Sequence, residues 1–169
     1  AGFPFTLFVA TDPVDRKTRG YMSWPQIRQL KQDGVTIGSQ TASHLHMASA
    51  GVARNRRDLE KSNARFMAEI GNQPELIAYP YGEAGLTVME LSGKSGFVAG
   101  FGQHSGVAGS RSNMYYLPRF ALNERYGEIS RFRMAANALA LPTGDVSPAD
   151  PLIGADDENP PAFGFTIFG

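Results

Sequence analysis

The segment Val35-Thr36-Ile37-Gly38-Ser39-Gln40-Thr41-Ala42-Ser43-His44-Leu45-His46 places a β-branched run directly before a polar loop that contains two of the three histidines of the chain. Val, Thr and Ile favour a short strand, and the change to small and polar residues after Gly38 indicates its end. Because imidazole is a common metal ligand, the segment predicts a site for a metal ion just beyond the end of this strand.

The same arrangement occurs twice more along the chain. Ala78-Tyr79-Pro80-Tyr81-Gly82-Glu83 follows the apolar run 76–79, and Phe101-Gly102-Gln103-His104-Ser105-Gly106 follows the apolar run 97–101. Three successive predicted strands therefore end in unusual polar or aromatic residues.

Helical patterns lie between these predicted strands. Ser23 is a plausible N-cap before Pro25, and Gly34 is placed as a C′ glycine, which predicts a helix between them. In a longer predicted helix, Leu59, Phe66 and Met67 share one apolar stripe. The complete prediction has strands at 3–10, 35–38, 76–79 and 97–101, an extended segment at 114–122, and further helices at 52–70, 85–95 and 128–139.

Alternating strands and helices with short connections predict an α/β fold in which helices cover a parallel sheet. The sheet can be open and doubly wound, or it can close into a barrel. In both architectures ligands bind beyond the carboxyl ends of the strands, which is where the three polar clusters are expected.

Composition excludes several classes of protein. The chain has 169 residues, with 16 basic and 16 acidic side chains, so its charge does not favour nucleic acid as a partner. It has no cysteine, and no apolar run approaches the ~20 residues that span a bilayer. We assign residues 1–141 to one α/β domain. The Pro-rich residues 142–169 are predicted to be a linker followed by the start of a further strand.

The loop after the second predicted strand resembles a known family motif. Gly38-Ser39-Gln40-Thr41-Ala42-Ser43-His44 is similar to the second motif of the polysaccharide deacetylases, the NodB-type carbohydrate esterases. In that motif two histidines four residues apart bind a divalent metal ion. His44 matches the second histidine, whereas Gln40 stands in place of the first. The resemblance implies a metal site with His44 and Gln40 as ligands, and zinc, cobalt or nickel as the ion.

Two further segments support the same resemblance. Tyr79-Pro80-Tyr81-Gly82 is similar to the third motif of the family, where the tyrosine backbone N–H, here that of Tyr81, helps to stabilise the tetrahedral oxyanion. The arginine usual at the head of that motif is Ala78 here. Leu117-Pro118-Arg119 resembles a segment that in some branches supplies an arginine to orient a catalytic aspartate. The resemblance therefore implies roles for Tyr81 and Arg119.

Other family features have no counterpart in this sequence. The Asp-Asp-Gly motif that ends the first strand of the family is absent, and Asp156-Asp157 lies in a different context. Residues 2–9 look like the second strand of the family, so we expect the chain to be a fragment of an incomplete (β/α) barrel. We expect the edge beside residues 3–10 to be unpaired and to promote self-association. The last family motif, Leu-x-His, is also missing, which leaves His104 as the candidate general acid or as a third metal ligand.

Several residues also have structural interpretations. His46 is a further candidate ligand, but it is also compatible with ordinary polar surface, and Gln40 is compatible with a hydrogen bond to loop backbone. Asp12 and Asp15 either cap a helix or bind substrate at the rim of the sheet. Trp24 is expected to be a packing residue.

The resemblance implies a metal-dependent hydrolase that removes N-acetyl groups from a carbohydrate polymer or oligomer in the periplasm or at the cell surface. A catalytically degenerate member that binds carbohydrate with the same groove is the alternative, since Gln40 and Ala78 depart from the family pattern. An unrelated α/β domain with accidental similarity to the motifs is a third interpretation.

Overall fold

The structure, a computed structural model, describes residues 4–122 and 127–137. Strands and helices alternate along most of this part of the chain. The strands are β1 (Thr6–Val9), β2 (Thr36–Ser39), β3 (Leu76–Ala78) and β4 (Ala99–Phe101). The helices are α1 (Thr11–Asp15), α2 (Trp24–Gln32), α3 (Val52–Ile70), α4 (Leu86–Lys94) and α5 (Ile129–Ala136), and a short 3₁₀ turn covers Pro80–Gly82.

The four strands form a parallel sheet in the order β1-β2-β3-β4. This arrangement confirms the predicted α/β fold with parallel strands, and it brings all four carboxyl ends to one edge of the sheet. Among the described strands β1 pairs with β2 alone, as expected for an edge strand. Closure into a barrel and self-association through this edge stay predictions.

The predicted boundaries of α2 are confirmed by its terminal residues. The N–H of Ser23 donates to the side-chain oxygen of Gln26 at 2.8 Å, and Pro25 occupies the first turn, where a missing N–H costs nothing. Gly34 follows the helix with a φ of +89°, in the left-handed region that favours glycine. Trp24 is buried, as expected of a packing residue.

Helix α1 was not predicted, because the apolar run of the first predicted strand ends at residue 10 and Pro13 follows three residues later. Pro13 lies in the first turn of α1, where a helix tolerates proline. The expectation that Asp12 or Asp15 caps a helix is wrong, since the N-cap of α1 is Ala10. Asp12 instead forms ion pairs with Lys61 at 2.6 Å and with Arg16 at 2.8 Å. Asp15 accepts a hydrogen bond from the Trp24 indole at 2.7 Å and forms an ion pair with Arg65 at 2.8 Å.

The buried face of α3 differs in part from the predicted stripe. Leu59 and Phe66 are fully buried, as predicted, but Met67 is 54% exposed because it lies about 100° around the helix from Phe66. The buried face also includes two polar residues, Ser62 between Leu59 and Phe66 and Asn55 nearer the N-terminus of the helix. Asn55 faces the loop that follows β2, and Ser62 faces Ser39 at the end of β2.

The extended segment predicted at 114–122 is confirmed only in a short part. Leu117 forms a single parallel bridge with Phe101, in which its N–H donates to Gly100 O at 2.8 Å and its carbonyl accepts from the Gly102 N–H at 2.9 Å. The next N–H on this side, that of Arg119, donates to His104 O at 2.9 Å, beyond the end of β4. Helix α5 falls within the predicted 128–139 and ends at Ala136. The predicted linker and strand at 142–169 lie outside the described residues. No helix in the described part of the chain is long and apolar enough to cross a membrane.

Candidate active site

The predicted site residues follow three neighbouring strands at one edge of the sheet. His44 and His46 lie in the loop after β2, Tyr81 lies in the 3₁₀ turn after β3, and His104 follows β4. Because parallel strands present their carboxyl ends at the same edge, the topology places these loops beside one another. Backbone strain is also concentrated here, since three of the four described non-glycine residues with positive φ are Thr41, His44 and Tyr81.

The rings of His44, Tyr81 and His46 are in direct contact. The Tyr81 ring lies 3.8 Å from the His46 ring between centroids, with an interplanar angle of 5°. His44 meets the same ring edge-on at 4.8 Å and 71°. The loop after β2 and the turn after β3, which are more than thirty residues apart in sequence, are thus joined by stacked aromatic groups.

His46 has a second partner that the sequence did not predict. Its Nδ1 lies 3.2 Å from both carboxylate oxygens of Glu83. The His46 side chain is 44% exposed, whereas that of Glu83 is only 11% exposed. The structure therefore gives His46 a defined orientation against Tyr81 and Glu83. The sequence places Glu83 directly after the third motif but does not indicate it as a partner of His46.

The Tyr81 backbone has the features of a hydrogen-bond donor available to a ligand. Its φ of +59° and ψ of +6° lie in the left-handed region, which is unusual for tyrosine. Among the described residues no carbonyl or side chain accepts a hydrogen bond from its N–H, whereas the N–H of Gly82 donates to Tyr79 O at 2.9 Å. Buried or half-buried N–H groups are seldom left without a partner, so this donor is a candidate for binding substrate.

Gly82 fixes this turn against the end of β4. Its φ is +73°, and a Cβ at this position would lie 2.4 Å from Cβ of Gln103. The Tyr116 hydroxyl donates to Gly82 O at 3.1 Å. Only glycine fits this position, because it has both the left-handed conformation and the close approach of a neighbouring loop.

His104 is connected to the same turn through Tyr116. The two rings stack at 4.8 Å with an interplanar angle of 23°. Burial, and then the charge of Arg119, lower the pKa of His104 below its usual value. Its Nδ1 is buried and has no hydrogen-bond partner among the described residues. His104 thus lies in the same group of loops as Tyr81, with a ring nitrogen that no described group satisfies.

Arg119 supports the end of β4. Its Nε donates to Gly102 O at 2.6 Å, and its backbone N–H donates to His104 O at 2.9 Å. The guanidinium carbon lies 5.9 Å from the centre of the Phe8 ring. Burial lowers the pKa of Arg119 to about 10. No carboxylate in residues 4–122 and 127–137 forms an ion pair with it, so its predicted role of orienting an aspartate stays a prediction.

The described residues do not complete a metal site. Burial, and to a lesser degree the charge of His46, lower the pKa of His44, which favours the neutral imidazole that binds metals. Gln40 directly follows β2, and its N–H donates to Val9 O at 2.9 Å. Yet no three His, Cys, Asp or Glu side chains of the described residues are grouped as a metal ion requires. His44 and Gln40 would therefore need further ligands to hold an ion.

Comparisons with known proteins agree with this fold. The curated "Putative polysaccharide deacetylase YxkH" of Bacillus subtilis (strain 168) is 24% identical over 118 residues, which are 70% of this chain and 42% of that protein. The structure of IcaB from Ammonifex degensii is 25% identical with a TM-score of 0.66, covering 81% of this chain and 62% of that one.

A de-N-acetylase from Aggregatibacter actinomycetemcomitans gives a TM-score of 0.68 at 17% identity, over 78% of this chain and 64% of that one. The chain thus spans less than two thirds of the length of each of these three proteins. Residues 1–100, which contain β1 to β4 apart from its last residue, match the profile described as polysaccharide deacetylase. The chain belongs to the polysaccharide deacetylase family.

Proposed function

We propose that the protein is a hydrolase that removes N-acetyl groups from a carbohydrate polymer or oligomer. Membership of the polysaccharide deacetylase family supports this class of reaction. The observation in the structure that supports it most is the Tyr81 N–H, which lies in a left-handed turn at the carboxyl edge of the sheet and has no acceptor among the described residues.

The chemistry of amide hydrolysis explains why such a donor is needed. Water adds to the acetyl carbonyl, and the carbonyl oxygen becomes negatively charged in the tetrahedral intermediate. A fixed backbone N–H lowers the energy of this oxyanion, and the loss of one such donor reduces kcat by roughly 10²–10³ in well-studied hydrolases. In the proposal the Tyr81 N–H has this role.

His104 and Arg119 have supporting roles in the proposal. The C–N bond breaks only when the leaving amine receives a proton, and His104 is the candidate donor because it follows β4 in the same group of loops as Tyr81. Arg119 holds the backbone at His104 and two residues before it, through its bonds to His104 O and Gly102 O. It therefore orients the loop that carries the proton donor.

A divalent ion is part of the proposal for the whole protein. Zinc, or cobalt or nickel in its place, would supply an ionised water and polarise the acetyl carbonyl when bound. His44 is its proposed imidazole ligand and Gln40 a weaker neutral donor. Carboxylates beyond the described residues would have to complete the site. The substrates this implies are exported polysaccharides, so we propose a periplasmic or cell-surface location.

A carbohydrate-binding protein without catalysis is the second candidate. Three observations favour it: Gln40 occupies the position of a family histidine, Ala78 occupies that of an arginine, and the described residues group no three potential charged or imidazole metal ligands. The rings of His44, Tyr81 and His46 would still offer surfaces for a sugar ring.

Acetate release distinguishes the two candidates. The full-length protein is incubated with an N-acetylated chitooligosaccharide and added Zn²⁺ or Co²⁺, and acetate is measured alongside binding of the same oligosaccharide by calorimetry. We expect acetate from the wild type and from the control T87A, which changes an exposed residue of α4, and none from H44A. Binding without acetate at every metal concentration would support the binding protein instead. Equal acetate release by H44A would contradict the assigned site.

A further inference from the structure

The N–H groups of the loop after β2 are held by side chains rather than by backbone carbonyls. Four consecutive N–H groups, those of residues 41–44, each donate to a side-chain oxygen. Thr41 donates to Ser39 Oγ at 3.2 Å, and His44 donates to Thr41 Oγ1 at 3.1 Å. These N–H groups thus lack the backbone acceptors that they would have in a strand or a helix, and the side chains take their place.

Asp58 supplies the acceptor for the two central N–H groups. Its Oδ2 accepts from Ala42 at 2.9 Å and from Ser43 at 3.1 Å. Both residues lie between Thr41 and His44, whose φ angles of +65° and +56° are unusual for residues other than glycine. A carboxylate oxygen that accepts two N–H groups makes stronger bonds than a neutral acceptor does.

Asp58 belongs to a polar row on α3. Asn55 lies one turn before it and donates to Met47 O at 2.9 Å and Ala50 O at 3.1 Å. Ser62 lies one turn after it, with its Oγ 3.1 Å from Ser39 Oγ. Residues three and four apart share a helix face, so this row follows the loop from the end of β2 to the start of α3.

The opposite side of the turn is fixed by the junction of β1 and α1. The N–H of Thr11 donates to Thr41 O at 3.3 Å, and the N–H of Asp12 donates to Ala42 O at 2.9 Å. Asp58 therefore holds the N–H groups of the turn while the neighbouring strand end holds its carbonyls. With both sides fixed, His44 is directed at Tyr81, whose ring it meets at 4.8 Å.

We propose that Asp58 is a positioning residue of the site: it holds the strained turn 41–44 in the conformation that directs the His44 ring at Tyr81. The inference deepens the proposed function, on which it rests for the role of His44. It makes Asp58 the acceptor without which the histidine of the second motif loses its direction.

The test compares D58A, D58N and the control E60A by NMR of the full chain, and it needs no activity. Glu60 is an exposed acidic residue two positions further along α3. We expect the NOE between the His44 and Tyr81 ring protons in the wild type, D58N and E60A, and its loss in D58A. We also expect the Ala42 and Ser43 amides to exchange at least about tenfold faster in D58A, with the amides of β3 unchanged.

Several outcomes would overturn the proposal. An unchanged NOE in D58A, or unchanged exchange of the Ala42 and Ser43 amides, contradicts a positioning role, and so does a uniform increase in exchange across the chain, which indicates only a loss of stability. If D58A does not fold, D58N decides: its neutral oxygen accepts the same bonds more weakly, so exchange at the two amides should rise several-fold, and wild-type rates contradict the proposal. A protein that shows these NMR results but releases no acetate refutes the proposed function and leaves the positioning role of Asp58 intact.

Discussion

The loop after β2 and the turn after β3 occupy similar positions in the fold, but they differ in whether their backbone N–H groups have acceptors. Each follows a buried parallel strand and contains non-glycine residues in the left-handed region. In the loop after β2 the N–H groups of residues 41–44 all have side-chain acceptors. In the turn after β3 the N–H of Tyr81 has no acceptor among the described residues.

This difference separates two tasks within one site. A segment whose donors are all satisfied can fix the direction of a side chain, here that of His44, but it cannot offer its backbone to a substrate. A strained turn with one unsatisfied donor can bind a developing negative charge, provided that its neighbours hold it still. Gly82, Tyr116 and His46 are the neighbours of Tyr81 with this effect.

The largest expected effect comes from breaking the turn after β3. In G82A the new Cβ would meet Gln103 at 2.4 Å in a conformation with φ of +73°. We expect a loss of about 3 kcal/mol in the free energy of unfolding, from the strain and the clash together. In G71A the φ is similarly positive, at +79°, but nothing lies within 4 Å, so strain alone should cost about 1 kcal/mol. Urea unfolding measures both variants, and equal losses would show that Gln103 does not constrain the turn.

The bond from Tyr116 to Gly82 allows a matched comparison. The hydroxyls of Tyr116 and Tyr115 each donate to a backbone carbonyl at 3.1 Å, to Gly82 and to Phe97 respectively. Y116F and Y115F should each cost about 1 kcal/mol, since each removes one hydrogen bond. Only Y116F should shift the NMR resonance of the Tyr81 amide. A similar shift in Y115F would mean that the turn responds to general loosening rather than to this bond.

We expect His46 to stabilise the protein more by stacking on Tyr81 than by its contact with the Glu83 carboxylate. H46A removes the stack at 3.8 Å and should cost about 1 kcal/mol. E83Q keeps the stack and an acceptor oxygen, and because the His46 side chain is 44% exposed, it should cost less than about 0.5 kcal/mol. Thermal unfolding of both variants shows which of them loses more stability. If E83Q costs as much as H46A, the carboxylate rather than the ring holds His46 in place.

The smallest expected effect concerns pH and the loop after β4. The lowered pKa of His104 means that the folded protein disfavours the protonated imidazole. The unfolded chain then takes up the proton first, so stability should fall as the pH drops below about 6.5. In H104Q this contribution is absent, and the loss of unfolding free energy between about pH 8 and about pH 5 should be smaller than in the wild type. A wild-type difference no larger than that of H104Q would contradict the burial of His104 in solution.

The sequence predicted the sheet and most helices because their signals are local. β-branched and aromatic runs mark β1 to β4, and the predicted 52–70 coincides with α3 because Gly71 ends it with a left-handed residue. Helix α1 was not predicted because Pro13, just after the predicted strand 3–10, is typical of a loop, although proline is also tolerated in the first turn of a helix. Local propensity could not distinguish a proline in a loop after a strand from a proline in the first turn of a helix.

The site was predictable in its position but not in its contacts. The three clusters at strand ends indicated where His44, Tyr81 and His104 would lie, since parallel strands share an edge. The contact of His46 with Glu83 joins residues that are far apart in sequence, and no spacing indicates it. The contact of Asp58 could not be predicted for the same reason. On a helix with many charged residues, only the fold shows which carboxylate faces a neighbouring loop.

Amide hydrogen exchange of the wild-type chain, compared between Tyr81 and the pair Ala42 and Ser43, tests the central claim most directly. We predict that the Tyr81 N–H exchanges at least about tenfold faster than the other two, relative to the rates of unstructured peptides, because only Tyr81 lacks an acceptor among the described residues. Protection of Tyr81 equal to that of Ala42 and Ser43 would contradict this claim, since it would mean that the donor is already bonded within the protein and is not available to an oxyanion.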